Sequence, residues 1–194
     1  MGSLTELEEY AKKENVPIIQ KDGLNFLIKI IKENNVKTIL EIGTAIGYSA
    51  INMAKINNEI KITSIERNLK MYNEAVKNVQ EYNLNSQISL IYGDALQTEI
   101  KGKYDLIFID AAKAQYIKFF EIYKENLNNN GIIITDNLNF HGLTKHPEEI
   151  KSKNLRALVK KINLYKEFLK ENKSYITTFY EIGDGIAISK RKGE

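Results

Sequence analysis

Two short runs carry residues that could hold a hard cation and move a proton. They are Phe108-Ile109-Asp110-Ala111-Ala112-Lys113 and Thr135-Asp136-Asn137. Two carboxylates and an amide form an oxygen-only donor set, which suits Mg²⁺ or Mn²⁺. Lys113 lies three residues after the first carboxylate. A lysine there is a candidate general base for a hydroxyl held by the cation. The plainer alternatives are a helix-capping Asp110 and a Lys113 that pairs with it or faces solvent.

A second set lies upstream. Glu41-Ile42-Gly43-Thr44-Ala45-Ile46-Gly47-Tyr48-Ser49 reads as a strand running through a glycine loop into a helix. Gly43 and Gly47 would let the backbone approach a ligand where a side chain would block it. Glu41 is placed to orient that ligand directly or through water. Ser49, at the helix start, would meet an anionic group. Roughly twenty residues on, an acid after the second strand can accept both ribose hydroxyls of a nucleoside, and Glu66 stands there. Glu66 could instead be a surface acid paired with Arg67 or Lys70. Gly93-Asp94-Ala95 ends a third strand with a polar pair able to read an adenine edge.

These residues need strands to carry them. Apolar stretches predict strands near 37–43, 60–66, 87–93, 104–110 and 131–137. Helices are expected near 47–57, 68–83, 114–128 and 148–172. Such alternation builds a parallel sheet with helices on both faces. Open sheets of this kind bind ligands at the carboxyl ends of their strands. Helices over 4–14 and 22–33 come first, broken by Pro17, and Leu24, Leu27, Ile28 and Ile31 should face the sheet. Gly183-Asp184-Gly185 is a tight-turn signal between strands 175–182 and 185–190, so the chain should close on an antiparallel hairpin. Asn128-Asn129-Asn130 reads as a turn. Tyr116, Phe119, Phe120 and Tyr123 form a helical stripe for the core. The expected architecture is α/β, one domain over 1–194, with a mostly parallel seven-stranded sheet, a C-terminal antiparallel hairpin and two N-terminal helices.

Composition narrows the function classes. Of 194 residues, 43% are hydrophobic and 27% charged, which suits one well-buried domain. No apolar run approaches the roughly 20 residues of a membrane helix. The start Met-Gly-Ser-Leu-Thr-Glu lacks the apolar centre of a signal peptide, so a cytoplasmic protein is expected. The chain has no cysteine, which excludes disulfides and thiolate metal sites. His141 and His146 are too few for a zinc site. A net charge of +3 does not announce a nucleic-acid binder. Lysines are nonetheless dense between Lys145 and Lys173, either as a solvated helix face or as a phosphate-contacting surface.

In residue type and order these motifs resemble the cation-dependent O-methyltransferases that use S-adenosylmethionine, the catechol and caffeoyl-CoA type. The resemblance spans about Val16 to Ile188 and includes Gly183-Asp184-Gly185. It implies a Rossmann-like class I methyltransferase fold. It also implies Lys113 as base and Asp110, Asp136 and Asn137 as metal ligands. Glu41, Gly43, Gly47, Ser49, Glu66, Asp94, Ala95 and Asp110 would surround the S-adenosylmethionine. The likeness is greatest to a bacterial branch that methylates 5-hydroxyuridine at the wobble position of tRNA. A small phenolic substrate is the alternative. A homodimer and an Arg156 near the acceptor entrance are further implications; His141, four residues after Asn137, reads as a loop histidine or as a border of the acceptor pocket. A nicotinamide dehydrogenase fits less well, because the loop lacks G-x-G-x-x-G. An RNA-binding module would not need the acidic set and shows no RNP or KH signature.

Overall fold

A computed structural model describes residues 4–193. The reading of Met1, Gly2 and Ser3 as the start of a leaderless chain lies outside the described residues. Helices α1 (Leu4–Lys13) and α2 (Lys21–Glu33) precede β1 (Thr38–Ile42), α3 (Tyr48–Ala54), β2 (Lys61–Glu66), α4 (Leu69–Glu81) and β3 (Ile88–Tyr92). Then follow β4 (Tyr104–Ile109), α5 (Tyr116–Tyr123), β5 (Leu127–Thr135), α6 (Lys153–Glu171), β6 (Tyr175–Tyr180) and β7 (Ile186–Arg191). No helix among the described residues is long and apolar enough to cross a membrane.

The strands form one seven-stranded sheet in the order β3-β2-β1-β4-β5-β7-β6. From β1 the chain steps outward to β2 and β3, then returns to place β4 on the other side of β1. The crevice for ligands opens where that order reverses. Strand β7 runs antiparallel to both β5 and β6. Its insertion between them brings the chain back to the carboxyl end of β5.

Strand alternation divides the core into two layers. Ile39, Leu106, Phe108, Ile132 and Ile134 pack with Leu24, Leu27 and Ile31 of α2 and with Ile51 of α3. Ile28 is only partly buried there. Leu40, Ile42, Ile107, Ile109 and Ile133 face the other way, onto Phe120 of α5 and Ile162, Tyr165 and Leu169 of α6. The predicted stripe Tyr116, Phe119, Phe120 and Tyr123 is buried in this second layer.

Three local expectations change. The asparagine run is not a free turn but lies within β5. Tyr104 faces Leu127 while Leu106 faces Ile132, so the asparagines are carried as a bulge. Asn128 Nδ2 donates to Asp105 Oδ1 at 2.7 Å, which anchors the bulge to β4. The last long helix starts at Lys153 rather than near 148. Pro147 opens a separate 3-10 turn, buried Ile150 is extended, and Ser152 caps α6 by accepting from the Leu155 N–H. The hairpin is antiparallel as expected, yet its ladder ends at Tyr180 opposite Ile186. The glycine turn has left the ladder because it packs on other elements, described below.

Phe108 is fully buried at the centre of the first layer. Phe108→Ala should lower unfolding stability by about 3–5 kcal/mol, the usual range for a buried phenylalanine. Urea denaturation measures it, and a loss below about 1 kcal/mol would contradict this packing.

Candidate active site

The carboxyl ends of β1, β2, β3 and β4 open into a cavity of about 620 Å³. Gly43 follows β1 with φ +101°, and its N–H donates to the Ile65 carbonyl at 3.0 Å. A Cβ there would stand 2.1 Å from the Asp110 carbonyl oxygen, so no side chain fits. Gly47 caps α3 at φ +84°. It meets nothing closer than 3.5 Å, so its need for glycine is conformational rather than spatial.

Of the residues singled out from sequence, Gly43, Ser49, Glu66, Asp94, Ala95, Asp110, Lys113 and Asn137 line the cavity, and Asp136 does not. Glu66 Oε2 accepts from the Ala45 N–H at 2.9 Å and Oε1 from the Asn68 N–H at 2.7 Å. These bonds aim the carboxylate, and each oxygen keeps a lone pair for a ligand hydroxyl. Asp94 Oδ1 accepts from the Leu96 N–H at 2.9 Å. The Ala95 carbonyl is held by the Tyr123 hydroxyl at 2.6 Å. A further wall comes from residues 14–19, between α1 and α2. Tyr48 Oη donates to Glu8 Oε1 at 2.6 Å, which ties α1, the helix before that segment, to α3.

Glu41 and Gly47 do not line the cavity, which corrects the expectation that Glu41 reaches the ligand. Glu41 is completely enclosed and shares a strand face with Ile39. Ser49 and Ser64 hydroxyls both donate to its carboxylate, and Ser64 Oγ lies 2.6 Å from Thr44 Oγ1. Glu41 therefore braces the glycine loop from behind. Ser64 was not singled out from sequence, although a serine inside the apolar stretch of β2 was its signal.

Asp110 and Asp136 converge from β4 and β5. Asn137 Nδ2 donates to Asp110 Oδ1 and to Asp136 Oδ2, each at 3.0 Å. Asp136 is 2% exposed, and its Oδ1 has no hydrogen-bond partner. Burial raises the Asp110 carboxyl, and the nearby Lys113 ammonium and Asn137 amide pull it back. Burial, then the charge of Asp110, lifts Asp136 to about 7. An orphaned buried oxygen beside two crowded carboxyls fits a hard cation, which would relieve both desolvation and repulsion. Asp110 caps no helix: Ala112 precedes the 3-10 turn Lys113–Gln115. Lys113 Nζ lies over the Phe140 ring, 5.5 Å from its centroid.

Other expected neighbours stand apart. Arg156 donates through Nε and Nη2 to the Ile150 carbonyl, at 3.2 and 2.7 Å. The His141 side chain is 69% exposed and does not line the cavity. Asp184 was read only as a turn residue, yet it is 5% exposed and its charge contributes to raising Asp110 and Asp136. The flanking glycines were the available signal.

The enclosure of Glu41 has a measurable consequence. Burial, partly offset by the two serine hydrogen bonds, raises its carboxyl from 4.5 to about 7. Between those values the native chain holds a proton that the unfolded chain releases. Stability from this group is therefore present below about pH 4.5 and lost as pH rises through about 7. Glu41→Gln should remove this dependence. Urea midpoints for the mutant, relative to wild type, should rise between about pH 5 and pH 8. A constant difference would refute the shift.

Comparison with known proteins matches this geometry. Residues 2–192 match the O-methyltransferase family. A caffeoyl-CoA O-methyltransferase of Stellaria longipes is 30% identical, covering 87% of this chain and 72% of its own. A Staphylococcus aureus structure with a provisional caffeoyl-CoA O-methyltransferase designation is 43% identical, with TM-score 0.94 over 99% of this chain and 93% of its own. A Bacillus cereus O-methyltransferase in complex with S-adenosylhomocysteine is 25% identical, with TM-score 0.83 over 97% and 90%. The chain belongs to the O-methyltransferase family.

Proposed function

We propose that the chain transfers a methyl group from S-adenosylmethionine to a hydroxyl oxygen that has a second oxygen beside it, with Mg²⁺ or Mn²⁺ as cofactor. The observation that carries the reading is that Asp110, Asn137 and Lys113 line one cavity with Glu66 and Asp94, while Asp136 is buried behind it and shares the Asn137 amide with Asp110. The S-adenosylhomocysteine complex of the Bacillus cereus relative supports the donor. Glu66 binds the ribose hydroxyls and Asp94, with the Ala95 backbone, the adenine edge. The Gly43 turn admits the methionine end, and the backbone N–H of Ser49 at the start of α3 meets its carboxylate, the Ser49 hydroxyl being held by Glu41. Asp110, Asp136 and Asn137 hold the cation, which when bound orients a hydroxyl and lowers its pKa. Lys113, in its neutral amine form, takes the hydroxyl proton onto Nζ and becomes the ammonium. The cavity walls align acceptor oxygen and methyl carbon for in-line displacement.

The acceptor in this proposal is 5-hydroxyuridine at the tRNA wobble position, whose hydroxyl and neighbouring carbonyl oxygen form the pair. Its support is the exposed lysine face of α6, where Lys160 and Lys161 project into solvent. A small catechol-type phenol is the second reading, favoured by the caffeoyl-CoA designations of the relatives. A cytoplasmic homodimer is the setting this function suits.

Glu66→Ala should weaken S-adenosylhomocysteine binding by about 1.5–3 kcal/mol, the scale of hydrogen bonds to a charged group. Calorimetry on the folded mutant measures it, and unchanged affinity removes Glu66 from the ribose role.

Purified enzyme offered hydroxyuridine-containing tRNA or a free catechol tests the rest. Activity should vanish in EDTA and return with Mg²⁺ or Mn²⁺; full turnover in chelator would defeat the cation mechanism. tRNA methylation should fall steeply with salt. Replacing Lys160 and Lys161 by glutamate should impair it while sparing catechol turnover. Efficient methylation of catechol with tRNA untouched selects the small-molecule reading.

A further inference from the structure

The Gly183-Asp184-Gly185 turn does more than reverse the chain. The Leu138 N–H donates to the Gly185 carbonyl at 2.9 Å and the Asn139 N–H to the Asp184 carbonyl at 2.7 Å. Gly185, at φ +85°, has Asn139 atoms within 2.6–2.8 Å of where a Cβ would stand. Gly183 presses on the backbone of Gly23 in α2, 3.2 Å from its would-be Cβ. The turn is thus wedged between α2 and the segment that leaves Asn137.

That segment is conformationally costly. Phe140 and His141 sit at φ +45° and +55°, followed by Gly142 at +81°. Non-glycine residues in this region persist only when their surroundings hold them. The turn's own bonds from Leu143 N–H to the Phe140 carbonyl and from Thr144 N–H to the Asn139 carbonyl, at 3.1 and 3.3 Å, are joined by the buried Asp184 side chain, whose Oδ1 accepts from the His141 N–H at 2.5 Å. Its Oδ2 has no hydrogen-bond partner. The turn so held sets the Phe140 ring beneath the Lys113 ammonium and the His141 ring 5.7 Å from that of Phe140.

We propose that Asp184 is a positioning residue for the acceptor: its carboxylate oxygen clamps the Phe140-His141 turn, and so keeps an aromatic shelf beside Lys113 for a flat acceptor ring. The assignment rests on Lys113 acting at the acceptor side. It is distinct from metal ligation, because the clamp is the hydrogen bond to Oδ1; His141 Nδ1 stands farther off, 3.8 Å from Oδ2. An asparagine in the same place would keep that oxygen.

Amide hydrogen exchange on the full chain reads the clamp without reference to turnover. Asp184→Ala should speed exchange at His141 by about tenfold or more, while Asp184→Asn should stay near wild type. With whichever acceptor the wild type methylates, Asp184→Ala should raise the acceptor KM by roughly fivefold or more and leave S-adenosylhomocysteine affinity unchanged. Asp184→Asn should restore KM. Phe140→Leu removes the shelf but not the clamp, so it should raise acceptor KM with His141 exchange unaltered. It also keeps the question open to test if Asp184→Ala folds poorly. Unchanged exchange in Asp184→Ala, an Asp184→Asn as impaired as Asp184→Ala, or an acceptor KM indifferent to Phe140→Leu would overturn the proposal. A wild type inactive on both acceptors would instead defeat the enzymatic reading, with exchange still judging the clamp.

Discussion

Strands β1 and β4 come so close at their carboxyl ends that Gly43 would place a Cβ against the Asp110 carbonyl. That approach governs much else. The Asp110 N–H reaches the Ile42 carbonyl at 3.0 Å, and the Gly43 N–H reaches Ile65 on the opposite side. Three parallel strands are thereby tied at one level, and the acids that follow them face a common space. The reversal of strand order at this point opens the crevice, and Gly43 keeps it unobstructed.

Around that space the chain gathers negative charge with little water to support it. Glu41, Asp136 and Asp184 are buried, and Asp110 is crowded beside Asp136. Each is handled differently. Glu41 is satisfied by serine hydroxyls and serves the loop. Asp110 and Asp136 share one amide and leave an oxygen unmatched, which the proposed cation would relieve. Asp184 bonds a backbone N–H and serves a turn. Buried carboxylates thus take different tasks, decided by what stands within hydrogen-bond reach.

Much of this was legible in the sequence because it is local. An apolar stretch followed by an acid and a glycine-containing loop marks both the strand and the end of it that faces ligand. Glu66, Asp94 and Asp110 were singled out that way, and the O-methyltransferase likeness followed from their order. Glu41 was misjudged although strand alternation set it on the same face as Ile39, away from the cavity. The asparagine bulge escaped because its partner, Asp105, lies on another strand. The role of Asp184 depends on how a hairpin docks against residues more than forty positions earlier, as with His141. No local pattern encodes that contact; the Gly-Asp-Gly signal marked only a bend.

The insertion of β7 between β5 and β6 has a consequence for how the molecule comes into being. The cofactor-facing loops are built from strands β1 to β4, which leave the ribosome in sequence and pair with neighbours already present. Strand β5 gains its second neighbour only when β7 arrives, after α6 and β6 have been made. Until then the Thr135 edge is unpaired and the turn at Phe140 lacks Asp184. Nonlocal pairing of this kind is slow and leaves a strand edge open in the interval. Nascent chains should therefore pass through a stage in which one half of the crevice is shaped and the other is still a sticky edge, a natural point for chaperone contact.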